Sequence, residues 1–197
     1  MTENIEKIPK KGKLFVICGP SGVGKRTLLS ELIKKEELNL TINVSFTSRS
    51  PRVGEIDSKD YYFISKEKFE KLIQEDRFLE HAYFFGEYYG TSRDTVQELL
   101  EQGKNVILEI EVIGFWQIKR KIEDFVSIFI YPPSLEHLRE RLVKRQTEDK
   151  ENIDRRLKKA EEELKEIVHF KHTVLNDNIE QALLSLTQII TSEVGSD

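Results

Sequence analysis

The chain has 197 residues and a formal net charge of −4, with 34% charged and 38% hydrophobic side chains, a globular composition rather than a disordered one. The acidic balance argues against a general nucleic-acid binder, and a single cysteine, Cys18, excludes an internal disulfide framework. Residues 1–13 are polar and lysine-rich without an apolar signal core, and no run of 18 apolar residues suits a membrane span, so a soluble, cytoplasmic protein with no membrane partner is expected.

Residues 13–18 (KLFVIC) form a short apolar run, read as a buried strand, and residues 25–37 carry helical periodicity. Residues 42–48 (INVSFTS) read as a second strand. A polar insertion rich in turn formers, SRSPRVGEIDSKD, follows. Next come a short strand at YYFI, a helix over about 65–76, and the aromatic stretch FLEHAYFFGEYYG, which suits strands. A helix over about 92–102 is closed by Gly103. NVILEI (105–110) and VSIFIY (126–131) are strands flanking a helix around 116–122. Pro132-Pro133 ends the second of them, and Ser134 is a good N-cap for the helix LEHLRERLVKR. QTEDKEN (146–152) lacks apolar residues and reads as a mobile break. A charged helix over 153–168, a strand TVLN (173–176) and an amphipathic helix over 179–194 complete the chain.

Strands alternating with helices predict an α/β fold with a mostly parallel sheet covered on both faces. The aromatic 61–90 region interrupts that rhythm as a small inserted lobe, and 139–157 reads as a second, mobile one.

The segment Gly19–Thr27, GPSGVGKRT, carries the most chemistry. Glycines 19, 22 and 24 lack Cβ atoms, so backbone N–H groups can converge on phosphate oxygens. The following helix points its positive end at the same anion, and Lys25 adds a mobile charge for the outer phosphates. Strand, glycine loop, lysine and helix in this order predict a nucleotide-phosphate cradle. The usual signature places Ser or Thr directly after the lysine, to coordinate magnesium. Here that residue is Arg26, and the hydroxyl comes one position later, at Thr27. Either Thr27 or a water takes over the metal, or Arg26 points to solvent or to another phosphate.

Such a loop serves hydrolysis or transfer, and the arginines favour transfer. A phosphate acceptor is largely a dianion at pH 7 and needs no base. Its difficulty is repulsion from the donor, which guanidinium groups relieve. Arg49 and Arg52 lie in the loop TSRSPR, and Arg139, Arg141, Arg145, Arg155 and Arg156 surround the polar break. Arg141 and Arg145 share one helix face, an arrangement that a solvated helix with glutamate partners also gives. Four histidines (81, 137, 169 and 172) lack ligand spacing and read as surface or packing residues. Trp116 reads as core, Cys18 as a buried inert thiol, and the EEELKE run as a solvated helix face.

Taken in order, GPSGVGK, SFTSRSPRVGEIDSKDYYF, FLEHAYFFGEYYGTS, LEIE, PPSLEHLRERLVKR and VLND resemble the guanylate kinase family over roughly residues 13–192. The resemblance implies a P-loop NTPase-type core (13–45, 92–138 and 158–192), a GMP-binding lobe (46–91), a lid (139–157) and an N-terminal tail (1–12). It implies transfer of the γ-phosphoryl group from ATP to GMP, with Mg²⁺ as cofactor. The ATP side would comprise Gly19, Pro20, Ser21, Gly22, Val23, Gly24, Lys25, Arg26, Thr27 and Asn176, with Thr27 a candidate metal ligand. Ser45, Arg49, Arg52, Tyr61 and Tyr89 would surround the GMP phosphate, Glu80 and Thr91 would read guanine, and Glu109 would join that site. Lys25, Arg49, Arg141, Arg145 and Arg156 would act on the phosphates in transfer.

One carboxylate can accept from the N1–H and the N2 amino group of guanine together, whereas adenine presents an acceptor at N1. Without the resemblance, Glu80 is a plain strand residue. The chain departs from the family pattern at Arg26, at Gln146 in place of a lid glycine, and at Ile113-Gly114-Phe115. A guanylate-kinase-like binding module without transfer, and a kinase for another nucleoside monophosphate, remain as alternatives.

Overall fold

The protein is seen in a computed structural model that describes residues 10–84, 86–144 and 150–195. The chain opens with β1 (Leu14–Cys18), α1 (Lys25–Leu32) and β2 (Leu40–Ile42). It continues through β3 (Phe46–Thr47), β4 (Tyr62–Phe63), α2 (Lys66–Gln74), β5 (Phe78–Phe84) and β6 (Glu87–Ser92). Then follow α3 (Arg93–Glu101), β7 (Asn105–Glu109), α4 (Val112–Lys121) and β8 (Val126–Tyr131). The last elements are α5 (Leu135–Lys144), α6 (Lys150–Lys165), β9 (His172–Leu175) and α7 (Ile179–Val194).

The core sheet has the order β2-β7-β1-β8-β9, and every pairing in it is parallel. Every residue of β1 is buried, because its alternate side chains feed two different cores. Phe15 and Ile17 join Leu28, Leu29 and Leu32 of α1 and Leu186 and Ile190 of α7. Leu14, Val16 and Cys18 join Val96 of α3 and Phe115 and Ile118 of α4 on the other face. β7 and β8 divide in the same way, Ile107 and Ile128 to one face, Leu108 and Phe129 to the other. A strand covered on both sides has no polar face to show, which is why these segments read as continuous apolar runs.

The inserted region builds a second sheet, β4-β3-β6-β5. Its strands are aromatic: Phe69 stacks between Phe78 and Tyr88, at centroid distances of 4.4 and 5.1 Å. Gln117 of α4 satisfies both free backbone groups of His81 on β5, at 3.0 and 2.7 Å, and so docks this sheet on the core. Lys121 adds a bond to the Phe78 carbonyl.

Three expectations are corrected. The strand expected over 42–48 is divided: Asn43 N–H makes the last bond to the core, to the Ile107 carbonyl, and the Ser45 carbonyl already accepts from Tyr62 in the second sheet. The run is apolar enough for one strand, but it passes between two sheets. The helix expected around 116–122 spans Val112–Lys121, because Glu111 takes the extended N-cap conformation that starts it early. The charged helix begins at Lys150, inside the stretch read as a break; Arg145 and Gln146 lie outside the described residues. α5 and α6 pack through Leu138, Leu142, Ile153, Leu157 and Ala160. Among the described residues, no helix is long and apolar enough to cross a membrane.

Candidate active site

A cleft of about 650 Å³ opens at the carboxyl ends of β1 and β7, where doubly wound sheets bind their ligands. Its walls come from the glycine loop (Gly19, Ser21, Lys25), from the second sheet's entry (Ser45, Glu55, Tyr61), from the end of β7 (Glu109, Glu111), and from α6 (Arg156, Lys159, Glu163).

Gly22 and Gly24 take left-handed φ of 88° and 100°. A Cβ on Gly24 would sit 2.6 Å from Asn176 Nδ2. That amide instead donates to the Val23 carbonyl at 2.7 Å, so buried Asn176 holds the loop from behind. A Cβ on Gly22 would lie 2.8 Å from a Leu142 methyl, which places α5 directly against the loop. Arg141 ties the same region together through the Val23 and Asn176 carbonyls, at 3.2 and 2.8 Å. Arg156 reaches the Ser21 hydroxyl from α6 at 3.2 Å. Lys25 Nζ folds across its own loop, donating to the Gly19 and Pro20 carbonyls at 2.5 and 3.3 Å. The donor-side residues expected from sequence are thus brought together, Thr27 excepted. Thr27 is exposed and lies outside the cleft lining, because at 100° per residue it occupies another face of α1. Arg26 lines the cleft instead.

Across the cleft, Arg49 makes a bidentate pair with Glu55, both bonds 2.9 Å. Glu55 also accepts from the Arg52 N–H at 2.7 Å, and these bonds, Arg49's first, hold its carboxyl down at about 2. The Arg49 guanidinium lies 5.5 Å from the Tyr61 ring, and Tyr61 meets Tyr89 edge-on. Arg49 Nε is buried and makes no hydrogen bond among the described residues. The Arg52 side chain is exposed. Deeper in the lobe, Glu80 is 7% exposed and accepts from the Thr91 hydroxyl at 2.6 Å. Burial pushes its carboxyl up to about 7. Gly114 makes room for it: a Cβ there would meet Glu80 Oε2 at 2.6 Å.

Sequence reasoning passed over Glu55, Lys159 and Glu163. Glu163 sits in the EEELKE run expected to be a solvated face, yet its side chain is 12% exposed and lines the cleft. Burial raises its carboxyl to about 7 as well. Its signal was faint: Leu157, Ala160 and Leu164 set the buried stripe of α6, and Glu163 lies beside it. Lys159 Nζ bonds Glu111 at 2.7 Å and joins α6 to the end of β7. Cys18 is fully buried, with its thiol pushed up by burial, as an inert packing residue should be.

The parallel core, the helices on both its faces and the inserted second sheet define an α/β protein with a parallel central sheet. The family model for guanylate kinase matches residues 11–193. Guanylate kinase of Clostridium perfringens (strain SM101 / Type A) is 45% identical over 183 residues, 93% of this chain and 84% of that protein. Guanylate kinase of Caldanaerobacter subterraneus subsp. tengcongensis is 45% identical over 186 residues, 94% and 90% of the two chains. A crystal structure of guanylate kinase from Anaplasma phagocytophilum superimposes with a TM-score of 0.75 at 30% identity, covering 95% of this chain and 88% of that one. The chain belongs to the guanylate kinase family.

Proposed function

We propose that the chain transfers the γ-phosphoryl group of ATP to GMP, giving ADP and GDP, and accepts dGMP as well, as an enzyme of purine nucleotide metabolism that recycles GMP. The observation that carries this reading is a buried carboxylate, Glu80, set beside the Thr91 hydroxyl in the lobe whose entry, Ser45 and Tyr61, faces the glycine loop and its lysine; Glu80 itself lies behind the cleft lining. A carboxylate so placed accepts from two guanine donors at once. Adenine would leave it desolvated and unpaired, a mismatch that can reach about 10⁴-fold in discrimination. Nothing in this recognition depends on the ribose 2′-hydroxyl, which supports dGMP as an acceptor.

The acceptor phosphate is already an anion, so the reaction is one of positioning and charge neutralisation. Arg49, Arg52, Tyr61, Tyr89 and Ser45 would hold the GMP phosphate, the buried Arg49 Nε–H being one donor left over after the Glu55 pair. Lys25 would exchange the Gly19 and Pro20 carbonyls for donor phosphate oxygens, which are stronger acceptors. Arg141 and Arg156 would bring α5 and α6 onto the donor, Arg145 joining them, and Asn176 would keep the loop open. Glu109 would join the GMP site at the cleft wall, and Mg²⁺, which keeps several waters, would be held mainly through the donor phosphates and water, because Glu111 is already paired with Lys159. When bound, Mg²⁺ supplies charge neutralisation on the donor phosphates.

The intact loop favours catalysis over a binding module, and Glu80 with Thr91 favours GMP over another acceptor. The test is ADP release from ATP in the presence of GMP, dGMP, AMP or UMP. GMP and dGMP should support turnover at least 10²-fold faster than AMP or UMP. Equal rates with all four, or none above ATP hydrolysis alone, would refute the reading.

A further inference from the structure

Arg26 is the feature of the loop that the reaction as described leaves without a task. It follows the lysine, is the second residue of α1, and is 92% exposed. Its guanidinium stands 4.0 Å from Asp60 on the opposite rim, the outer limit of an ion pair. Arg26, Leu29 and Ser30 form the face of α1 that lines the cleft, continued by the C-cap Ile33 at spacing i, i+3, i+4, i+7. That face looks across at Ser45, Lys59, Asp60 and Tyr61, the acceptor lobe's entry, although the helix itself belongs to the glycine loop.

The charge of this helix end is unusual. Gly24 is the N-cap, and the first turn carries Lys25, Arg26 and Thr27 with no acid among them. Two cations thus stand where the macrodipole is positive, an arrangement that disfavours the helix by itself and favours it once an anion is bound. Asp60 cannot supply that compensation: it is 4.0 Å from a guanidinium that is itself 92% exposed, and its other oxygen accepts from the Ile56 N–H at 2.9 Å.

We propose that Arg26 is a further phosphate-contacting residue on the acceptor side, which leaves Asp60 and takes an oxygen of the nucleoside monophosphate. This inference rests on the reading of the cleft as a GMP kinase site. The exchange replaces a long, solvated contact with a short charge-assisted one to a dianion. It also gives the position after the lysine an acceptor duty in place of a metal-binding hydroxyl.

The experiment measures GMP and ATP affinities by calorimetry and unfolding temperature without ligand, for the unsubstituted chain, Arg26→Gln and Asp60→Asn. Arg26→Gln should weaken GMP binding roughly tenfold, the loss of about one charged hydrogen bond. ATP affinity should stay within about twofold, and the ligand-free unfolding temperature should hold or rise, because a cation leaves the helix N-terminus. Asp60→Asn should leave GMP affinity unchanged or improve it. GMP affinity within twofold of the unsubstituted chain overturns the proposal. So does a loss confined to ATP, which assigns Arg26 to the donor. A fall in unfolding temperature shared equally by both variants overturns it too, since that marks a structural rim contact. Failure of the unsubstituted chain to bind GMP refutes the kinase reading first, and this inference with it.

Discussion

Replacing Glu80 by glutamine tests recognition and stability together, with opposite signs. Burial holds this carboxyl at about 7 rather than 4.5, so the folded chain binds the proton more tightly than the unfolded one. Stability is therefore lost as pH rises from about 4.5 through about 7. At 1.36 kcal/mol per pH unit, ionising the buried acid at pH 8 costs the folded state about 3 kcal/mol. Glutamine keeps the shape, and its carbonyl can still accept from Thr91. Unfolding in urea, followed by the single tryptophan, Trp116, should show Glu80→Gln more stable than the parent by about 3 kcal/mol at pH 8 and nearly equal to it at about pH 4. Its kcat/KM for GMP should nonetheless fall roughly 10²-fold or more, since one acceptor facing guanine has become a donor. A stability difference that is flat with pH would refute the buried-acid argument, and an unchanged kcat/KM would refute base reading.

Gly24→Ala forces a left-handed φ of 100° on an L-residue and presses its Cβ against Asn176. We expect a loss of about 2 kcal/mol in urea unfolding, with phosphate binding lost by calorimetry. Lys25→Ala should leave unfolding almost unchanged, because its partners are two loop carbonyls, while kcat falls roughly 10²-fold or more in a coupled ADP assay. Glu163→Gln should flatten the decline in stability between pH 4.5 and about 7, because burial raises this acid as well. A thermal-unfolding series in which the variant keeps the parent's slope would contradict that placement.

The strands and the loop were legible because their signals are local. VSIFIY is a strand over the expected residues, Val126–Tyr131, and 179–194 is a helix end to end. Those signals come from hydrophobic periodicity and, for the strand, the Pro132-Pro133 that ends it. The division of 42–48 was not legible, since moving from one sheet to another leaves no mark in hydropathy. The depth of Glu80 was hidden for the same reason: nothing in LEHAY says which side of β5 meets Gly114 of α4. Glu163 was misread because a charge run suggests solvent, and the wall of a cleft can take one carboxylate out of such a run. Arg26 and Thr27 illustrate the converse. The loop signature left open whether Thr27 serves the metal or Arg26 turns outward, and one residue's rotation on α1 turns only Arg26 into the cleft. The pairing of Arg49 with Glu55 was not legible, because a separation of six residues in a loop implies no contact until the turn that brings residue 55 back is seen.

Selective binding of one monophosphate is the core of this account, and calorimetry of the unsubstituted chain with GMP and with AMP, at pH 8 and without ATP, measures it directly. GMP should bind at least 10²-fold more tightly than AMP. Equal affinities would mean that the acid under Gly114 does not read the base.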